Sequence, residues 1–425
     1  MAPVYGKVAI HILPFLMLLY FFAFLDRVNI SFAALTMNRD LGISEKTFGL
    51  AAGIFFLGYF LFEVPSNLIL VRVGARRWIA TIMILWGSIS FATAFVHNQP
   101  FYVFLRFLLG AAESGFYPGI ILYLTFWLPS AVRSRLLALF ITAIPISGMV
   151  GSPISARILL LDHFGGLRGW QWLFLLEGAP VIILGLVVYV WLADNPQNVS
   201  WLTGDEKEKI VQDLAAEVHG HKQAHSTIQA LQEPSVYAFS FGYFALMCGL
   251  YGVSFWTPRV LQMRGAHLGN IGWMTAIPYL VGVIGMLLWS HHSDQHQERT
   301  RHLIAAYLIA AVGLIVAGSV HGVAGTILAF SLSTLGVFAA MPVFWSTSTL
   351  RMAGPMVGVY IAVINSIGNL GGFVSPAVMG WLVQTTHSFA LGLAAIAVCL
   401  LIGSFTLHKL LRGPLKGSPI GAWSK

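Results

Sequence analysis

Charged residues are scarce in this 425-residue chain: Asp, Glu, Lys and Arg together make up 9% of it, whereas soluble domains carry about 25%. Hydrophobic residues make up 57%, and the mean hydropathy is +0.78. This composition excludes a water-soluble enzyme or binding module. We therefore predict an integral membrane protein, and its apolar runs are too long for the strands of a membrane β-barrel.

Cysteine is also nearly absent, with two residues in the whole chain. Cys248 and Cys399 both lie in apolar runs, where they indicate packing rather than a disulfide framework or a metal site. We expect neither a metal nor a cofactor. The net charge of +8 does not indicate a nucleic-acid partner, because the basic residues lie mainly in loops between apolar segments.

Twelve apolar segments are long enough to cross a bilayer as helices. Lys and Arg residues in the connections concentrate on the side that carries both termini, which predicts that both termini are cytoplasmic. The predicted spans, numbered 1 to 12, are residues 9–37, 47–71, 78–97, 100–128, 134–161, 170–192, 235–262, 269–291, 302–320, 323–350, 355–385 and 387–410.

A single long polar stretch, residues 193–233, divides these spans into two sets of six. We expect an N-terminal six-helix bundle in residues 1–192, a cytoplasmic linker, and a C-terminal six-helix bundle in residues 234–425. Within the linker, TGDEKEKIVQDLAAEV predicts an amphipathic helix with Thr203 as N-cap and Glu206 at the capping-box position.

The two halves resemble each other weakly at one fixed offset. This offset aligns Gly148 with Gly371 and Pro153 with Pro376, and it also aligns the loops after spans 2 and 8. Duplicated six-helix halves are a known carrier architecture with the substrate site between the halves. The fold class that we predict is therefore an all-α membrane protein with twelve transmembrane helices in two pseudo-symmetric bundles.

Four charged residues lie inside apolar spans of the first half: Asp26 and Arg27 in span 1, and Arg106 and Glu113 in span 4. A charge at bilayer depth costs about 2.5–3.5 kcal/mol on insertion scales, so it usually marks a function. Arg106 and Glu113 are seven residues apart and share one face of a helix. The predicted spans of the second half contain no acidic residue, so we expect proton chemistry in the first half.

These residue types fit a carrier that moves an organic anion together with protons. Arg offers a planar fork that suits a substrate carboxylate. When an anion occupies the arginine, a neighbouring Asp or Glu loses its counter-ion and takes up a proton. The alternative interpretation is a set of structural ion pairs that fasten helices, although buried ion pairs are a poor source of stability.

Aromatic and amide side chains are further candidates for substrate contacts. An aromatic acid would stack on aromatic rings, and a hydroxy acid such as tartrate would bond to Asn and Ser side chains. For each candidate the alternative is packing within the bundle, and we interpret the membrane carboxyls Glu63 and Glu177 as structural. The candidates are Tyr20, Tyr59, Tyr251, Trp256, Trp345, Asn365 and Asn369.

Several longer motifs resemble one family along essentially the whole chain. They are FLDRVNISFA, EVPSNLILVRVGARRWIA, WQWLFLLEGAPVIILG, WLTGDEKEKI, YGVSFWTP and INSIGNLGGFVSP. The chain resembles carriers of the major facilitator superfamily, within it the anion:cation symporter family, and most of all bacterial 4-hydroxyphenylacetate and tartrate permeases. The resemblance implies a monomer that imports a small carboxylate with protons across the bacterial inner membrane by rocking of its two halves.

The resemblance also implies roles for individual residues. Asp26 and Glu113 match the proton-binding carboxyls of related sugar-acid symporters, Arg27 and Arg106 match substrate-binding or coupling arginines, and Asn369 matches a substrate contact. In the loops after spans 2 and 8, Arg76, Asp294 and Arg299 match gating positions, whereas Val71 stands where an Asp is common.

Other functions remain open at this point. The same fold could serve a sugar-acid symporter of the aldonate or hexuronate type, an anion exchanger or an efflux carrier, because direction depends on gradients. A membrane enzyme would need a nucleophile–base pair or clustered metal ligands inside the bundle, and a nutrient sensor would more naturally carry a long soluble domain.

Overall fold

The computed structural model describes residues 3–219, 233–352 and 357–412. These residues form α-helices joined by short connections, and no β-strand occurs among them. Within these ranges, eleven helical segments are long and apolar enough to cross a membrane. The predicted span 3 is the helix Ala75–Thr93, which is not one of the eleven because Arg76 and Arg77 occupy its first turn.

Eight of the predicted spans are single helices in the described part of the chain, and the other four are each interrupted near their middle. The single helices are Glu45–Val73 (span 2), Ala75–Thr93 (3), Gly169–Trp191 (6), Pro234–Met263 (7), Leu268–Gln295 (8), Arg299–Ser319 (9), Val323–Arg351 (10) and Phe389–Arg412 (12). The interrupted spans are Pro3–Val28 with Ile30–Asp40 (span 1), Gln99–Glu113 with Phe116–Thr125 (4), Ser130–Ile141 with Ala143–Leu159 (5), and Val357–Asn369 with Gly371–Thr386 (11). The interruptions of spans 1 and 4 lie next to the charged residues.

Among the described residues, three pairs of spans make the most extensive contacts between the two halves. Span 1 packs on span 7, span 2 on span 11, and span 5 on span 8. Small residues permit these contacts: a side chain at Gly49 in span 2 would collide with the backbone at Pro376 and Gly380 in span 11. Close approach of helix backbones at small residues is the usual way in which membrane helices associate.

The linker forms the helix Gly204–His219 and is attached to span 1. The predicted capping box is confirmed: the Thr203 N–H donates to Glu206 at 2.8 Å, and the Glu206 N–H donates to the Thr203 hydroxyl at 3.3 Å. The Lys7 ammonium lies 2.9 Å from the Glu206 carboxylate, and the Tyr5 hydroxyl donates to a second carboxylate of this helix at 2.6 Å. The Thr203 N–H, together with Lys7, holds the pKa of Glu206 below its ordinary value.

One end of the interface between the halves is closed by polar contacts. Arg259, near the end of span 7, donates from Nε and Nη2 to Glu45 Oε1 at the start of span 2, at 3.0 and 2.6 Å. Gln262 also donates to the backbone oxygen of Leu35 in span 1 at 3.3 Å. We refer to the Glu45–Arg259 pair as the end latch.

Candidate substrate and proton site

Arg27 lies at the centre of the candidate site and connects both halves. Its Nη2 donates to the Glu113 carboxylate of span 4, and its Nη1 donates to the Tyr251 hydroxyl of span 7 at 3.0 Å. Arg27 is 9% exposed and Glu113 is 1% exposed. The structure therefore brings together Arg27 and Glu113, two of the four charged residues that the sequence analysis selected.

Aromatic rings surround the guanidinium group of Arg27. Its Cζ lies 5.2 Å from the ring centre of Phe55, 5.9 Å from Phe56 and 5.5 Å from Tyr59. Arg106 shares this environment, with its Cζ 5.3 Å from the ring of Phe55. Attraction between a cation and an aromatic face keeps a charge tolerable where little water reaches it.

Arg106 lies behind this pair, and among the described residues its hydrogen-bond partners are backbone oxygens. Its Nε and Nη2 donate to the carbonyl oxygens of Ala51 and Arg27, both at 3.4 Å, and the residue is 1% exposed. Three buried atoms of the cluster have no hydrogen-bond partner among the described residues: Arg27 Nε, Arg106 Nη1 and Glu113 Oε2. Buried polar atoms are normally satisfied, so two free donors and one free acceptor are suited to a bound carboxylate and a proton.

Asp26 lies apart from this cluster, although it is the chain neighbour of Arg27. Its carboxylate accepts hydrogen bonds from Trp86 Nε1 at 3.1 Å, from the Ser90 hydroxyl at 3.0 Å and from Asn29 Nδ2 at 3.2 Å. Successive residues of a helix point about 100° apart, since a turn holds 3.6 residues. Asp26 consequently faces span 3, whereas Arg27 faces spans 4 and 7.

The predicted aromatic candidates occupy different surroundings. Tyr59 and Tyr251 contact the guanidinium group of Arg27, whereas Tyr20 stacks on Phe140 in span 5 with ring centres 4.6 Å apart. Trp256 is fully buried and contacts phenylalanines of spans 2 and 12.

Span 11, which carries the two candidate amides, packs against span 7 and also contacts span 2. Asn365 and Asn369 are both half-buried, and the residue next to Asn365, Ser366, donates to the Glu63 carboxylate of span 2 at 3.2 Å. Gly368 lies against the ring of Tyr243, so the amide-bearing helix approaches span 7 closely.

Tyr243 is a residue that the sequence interpretation missed. Its ring contacts half-buried Trp345, with ring centres 4.9 Å apart, and it stacks on Phe344. Tyr243 lies eight residues before Tyr251, about two helical turns, so both are on the same face of span 7. That spacing is the signal that could have identified it.

The three predicted gating residues form ion pairs within their own halves. Arg76 Nε lies 3.2 Å from Asp194, which follows span 6, and Arg299 at the start of span 9 lies 3.4 Å from Asp294 in the last turn of span 8. Arg76 therefore has a carboxylate partner even though Val71 occupies the usual acidic position. Within the described ranges, no three His, Cys, Asp or Glu side chains converge where a metal ion could bind.

Comparisons with known proteins agree with this architecture. A protein of Agrobacterium vitis named "Putative tartrate transporter" is 48% identical over 407 residues, which cover 96% of this chain and 94% of that protein. A Pseudomonas putida protein named "Putative metabolite transport protein NicT" is 39% identical, with coverage of 96% and 94%.

The fold is also found in solved structures. A bacterial homologue of the human lysosomal transporter Spinster superposes with a TM-score of 0.76 at 18% identity, covering 96% of this chain and 98% of that one. The model of the Major Facilitator Superfamily matches residues 16–376. The chain is thus a multi-pass membrane protein that belongs to the Major Facilitator Superfamily of transporters.

Proposed function

We propose that this protein is a proton-coupled symporter that imports a small organic anion, an aromatic or hydroxy carboxylate such as 4-hydroxyphenylacetate or tartrate. The observation that carries the proposal is the bond between Arg27 and Glu113, in a buried cluster that also has unpaired Arg27 Nε, Arg106 Nη1 and Glu113 Oε2. The relatives named as tartrate transporters support a hydroxy acid.

Coupling follows from competition for Arg27. A substrate carboxylate that accepts two hydrogen bonds from Arg27 displaces Glu113, which then has no counter-ion and takes up a proton at Oε2. Binding of the anion and of the proton favour each other, and this coupling is reciprocal. Arg106 Nη1 supplies a further donor for the anion. In this proposal Asp26 is a second proton-binding carboxyl, separated from the exchange at Arg27.

The substrate is held between the halves. Tyr251 already bonds to Arg27 across the interface, and Trp345, Asn365 and Asn369 supply an aromatic ring and two amides from the second half. Tyr59 and Tyr20 belong to the first-half wall, and Trp256 contributes by packing. An aromatic substrate would use Trp345 most, and a hydroxy acid would use the two amides.

Transport proceeds by alternating access in the bacterial inner membrane. We infer that residues 1–192 and 234–425 move as two units joined by the linker 193–233, with both termini in the cytoplasm. In that orientation the end latch lies at the outer surface, so the described conformation is closed on the outer side. A single chain supplies both halves of the site, which supports a monomer that acts as a carrier rather than as an enzyme.

Uptake into proteoliposomes under an imposed pH gradient tests the proposal. Wild-type protein should accumulate labelled tartrate or 4-hydroxyphenylacetate, whereas Glu113→Gln and Asp26→Asn should lose accumulation but retain exchange of internal for external substrate. Arg27→Lys should lose both activities, because Lys lacks the planar fork.

Two results would overturn the assignment. Accumulation that persists in both carboxyl variants would remove the proton role. Exchange of anions that never responds to the gradient in wild-type protein would favour an exchanger or an efflux carrier of the same fold, and preferential competition by aldonates or hexuronates would favour a sugar-acid substrate.

A further inference from the structure

A groove of about 730 Å³ lies on the membrane-facing surface where span 5 meets span 8. Val150 and Ile154 line it from span 5, Trp273 and Ile277 line it from span 8, and these four side chains are 40–60% exposed. The volume is within the range of about 300–1,000 Å³ that ligand sites have. The transport cycle proposed above gives this groove no role.

The two walls of the groove belong to different halves of the protein. On each wall the exposed residues are four apart and so form a stripe along one helix face. The helices touch beside the groove, because a side chain at Gly272 would collide with the backbone oxygen of Ser152 and with Ala156. The groove in this form therefore requires spans 5 and 8 to be in contact.

Arg157 is the one charged residue that lines the groove. It is exposed in the last turn of the helix Ala143–Leu159, and within the described ranges it forms no ion pair with a carboxylate. Trp273 lies in the second turn of span 8, at the same end of the interface. Tryptophan is typical of the boundary between lipid and water, and a long basic side chain near a helix end reaches the headgroups.

From this end the groove continues toward the middle of the bilayer. Val150 lies seven residues before Arg157, and Leu280 lies seven residues after Trp273. Seven helical residues rise about 10 Å. The groove thus places a cation at headgroup level above an apolar channel about 10 Å long, which matches a phosphate with an acyl chain attached.

We propose that Arg157 and the groove between spans 5 and 8 bind one anionic phospholipid, with its phosphate on the guanidinium group and an acyl chain between the two halves. An anionic lipid such as phosphatidylglycerol suits a lone cation better than phosphatidylethanolamine, whose own ammonium group competes for the phosphate. The assignment to the outer leaflet rests on the orientation proposed above.

The lipid favours closure of the outer side. Rocking of the halves separates spans 5 and 8 at this end, so the two walls lie together only while the end is closed. A ligand that binds one conformation shifts the population toward it. The same lipid therefore stabilises the conformation that the end latch also closes.

Native mass spectrometry of the purified protein with added phosphatidylglycerol tests the site without any transport assay. Arg157→Gln should lower the affinity for one bound lipid at least about fivefold, since a charge-assisted bond is lost at a partly exposed position. Arg157→Lys should retain most of the affinity, and Ile154→Trp should lower it by filling the groove. Arg39→Gln, which removes an 81% exposed arginine side chain at the same end of the molecule, should behave as wild type.

Distances between spin labels at Lys46→Cys and His267→Cys, on opposite halves near the end latch, test the effect on closure. In protein without its native cysteines, adding phosphatidylglycerol to phosphatidylcholine nanodiscs should raise the population with the shorter distance. The same addition should change Arg157→Gln much less.

Four results would overturn the proposal. Equal lipid affinity in wild type and Arg157→Gln would remove the headgroup contact, and displacement of the lipid by glycerol phosphate at similar affinity would remove the role of the groove. Paired chains that separate in Ile154→Trp would assign the groove to a second copy of the protein. A distance distribution that responds to the lipid equally in wild type and Arg157→Gln, or in neither, would refute its link to closure. A failed symport assay would leave all of these measurements valid.

Discussion

The end latch gives a quantitative prediction about the conformational equilibrium. Both Nε and Nη2 of Arg259 donate to one oxygen of Glu45, and the two side chains are 25% and 19% exposed. A hydrogen bond to a charged group contributes about 1.5–3 kcal/mol, and partial exposure reduces such a contribution. We therefore expect the latch to favour closure of this end by about 1–2 kcal/mol, a factor of roughly 5–30 in the equilibrium.

Replacing Glu45 by Gln should shift the population toward an open end by that factor. Electron–electron distance measurements between spin labels at Lys46→Cys and His267→Cys report on it, because both positions are exposed and lie on opposite halves near the latch. The two native cysteines are first replaced. The longer distance should gain population in Glu45→Gln and in Arg259→Gln, and the double variant should add little to either.

Two controls make the result decisive. Exchanging the charges, Glu45→Arg with Arg259→Glu, should restore much of the closed population, and raising the salt concentration should weaken the wild-type latch only modestly because the pair is partly buried. Distance distributions that are identical in wild type and in both single variants would refute the reasoning, since the ion pair would then contribute nothing to closure.

Three further predictions concern other parts of the molecule. The Tyr251 hydroxyl accepts a hydrogen bond from Arg27 and so holds its guanidinium group in position. We expect Tyr251→Phe to weaken substrate binding about two- to tenfold, and an unchanged KM for exchange would contradict this. Gly110→Ala should lower the stability in detergent by about 1–3 kcal/mol, because its methyl group would collide with a backbone carbonyl of span 2; Gly358→Ala, which has open space, is the control for the thermal shift. Folding lowers the pKa of Glu206. Its contribution to linker docking is therefore complete above the ordinary pKa of about 4.3 and is lost as the pH falls below it. Hydrogen exchange in residues 204–216, corrected for intrinsic rates, should rise at that lower pH, and Glu206→Gln should show the rise already at neutral pH.

Much of the architecture could be predicted because it depends on local patterns. Apolar run length predicted the spans, and the Thr203–Glu206 spacing predicted the capping box that the structure contains. Span 3 shows how coarse such patterns are: Arg76 and Arg77 reduce its apolar character, yet Ala75–Thr93 packs with span 6 as a full member of the first half.

The sequence by itself also determined which residues carry charge inside the membrane, because a charge in an apolar run is visible without any contact. Tertiary structure alone decided their partners. Arg27 joins Glu113 while its neighbour Asp26 turns toward Trp86 and Ser90 of span 3, and Glu45 meets Arg259 from the other half. Helical periodicity sets the direction of a side chain on its own helix, whereas the facing partner depends on which helices pack together and in what register, and neither is written in local sequence.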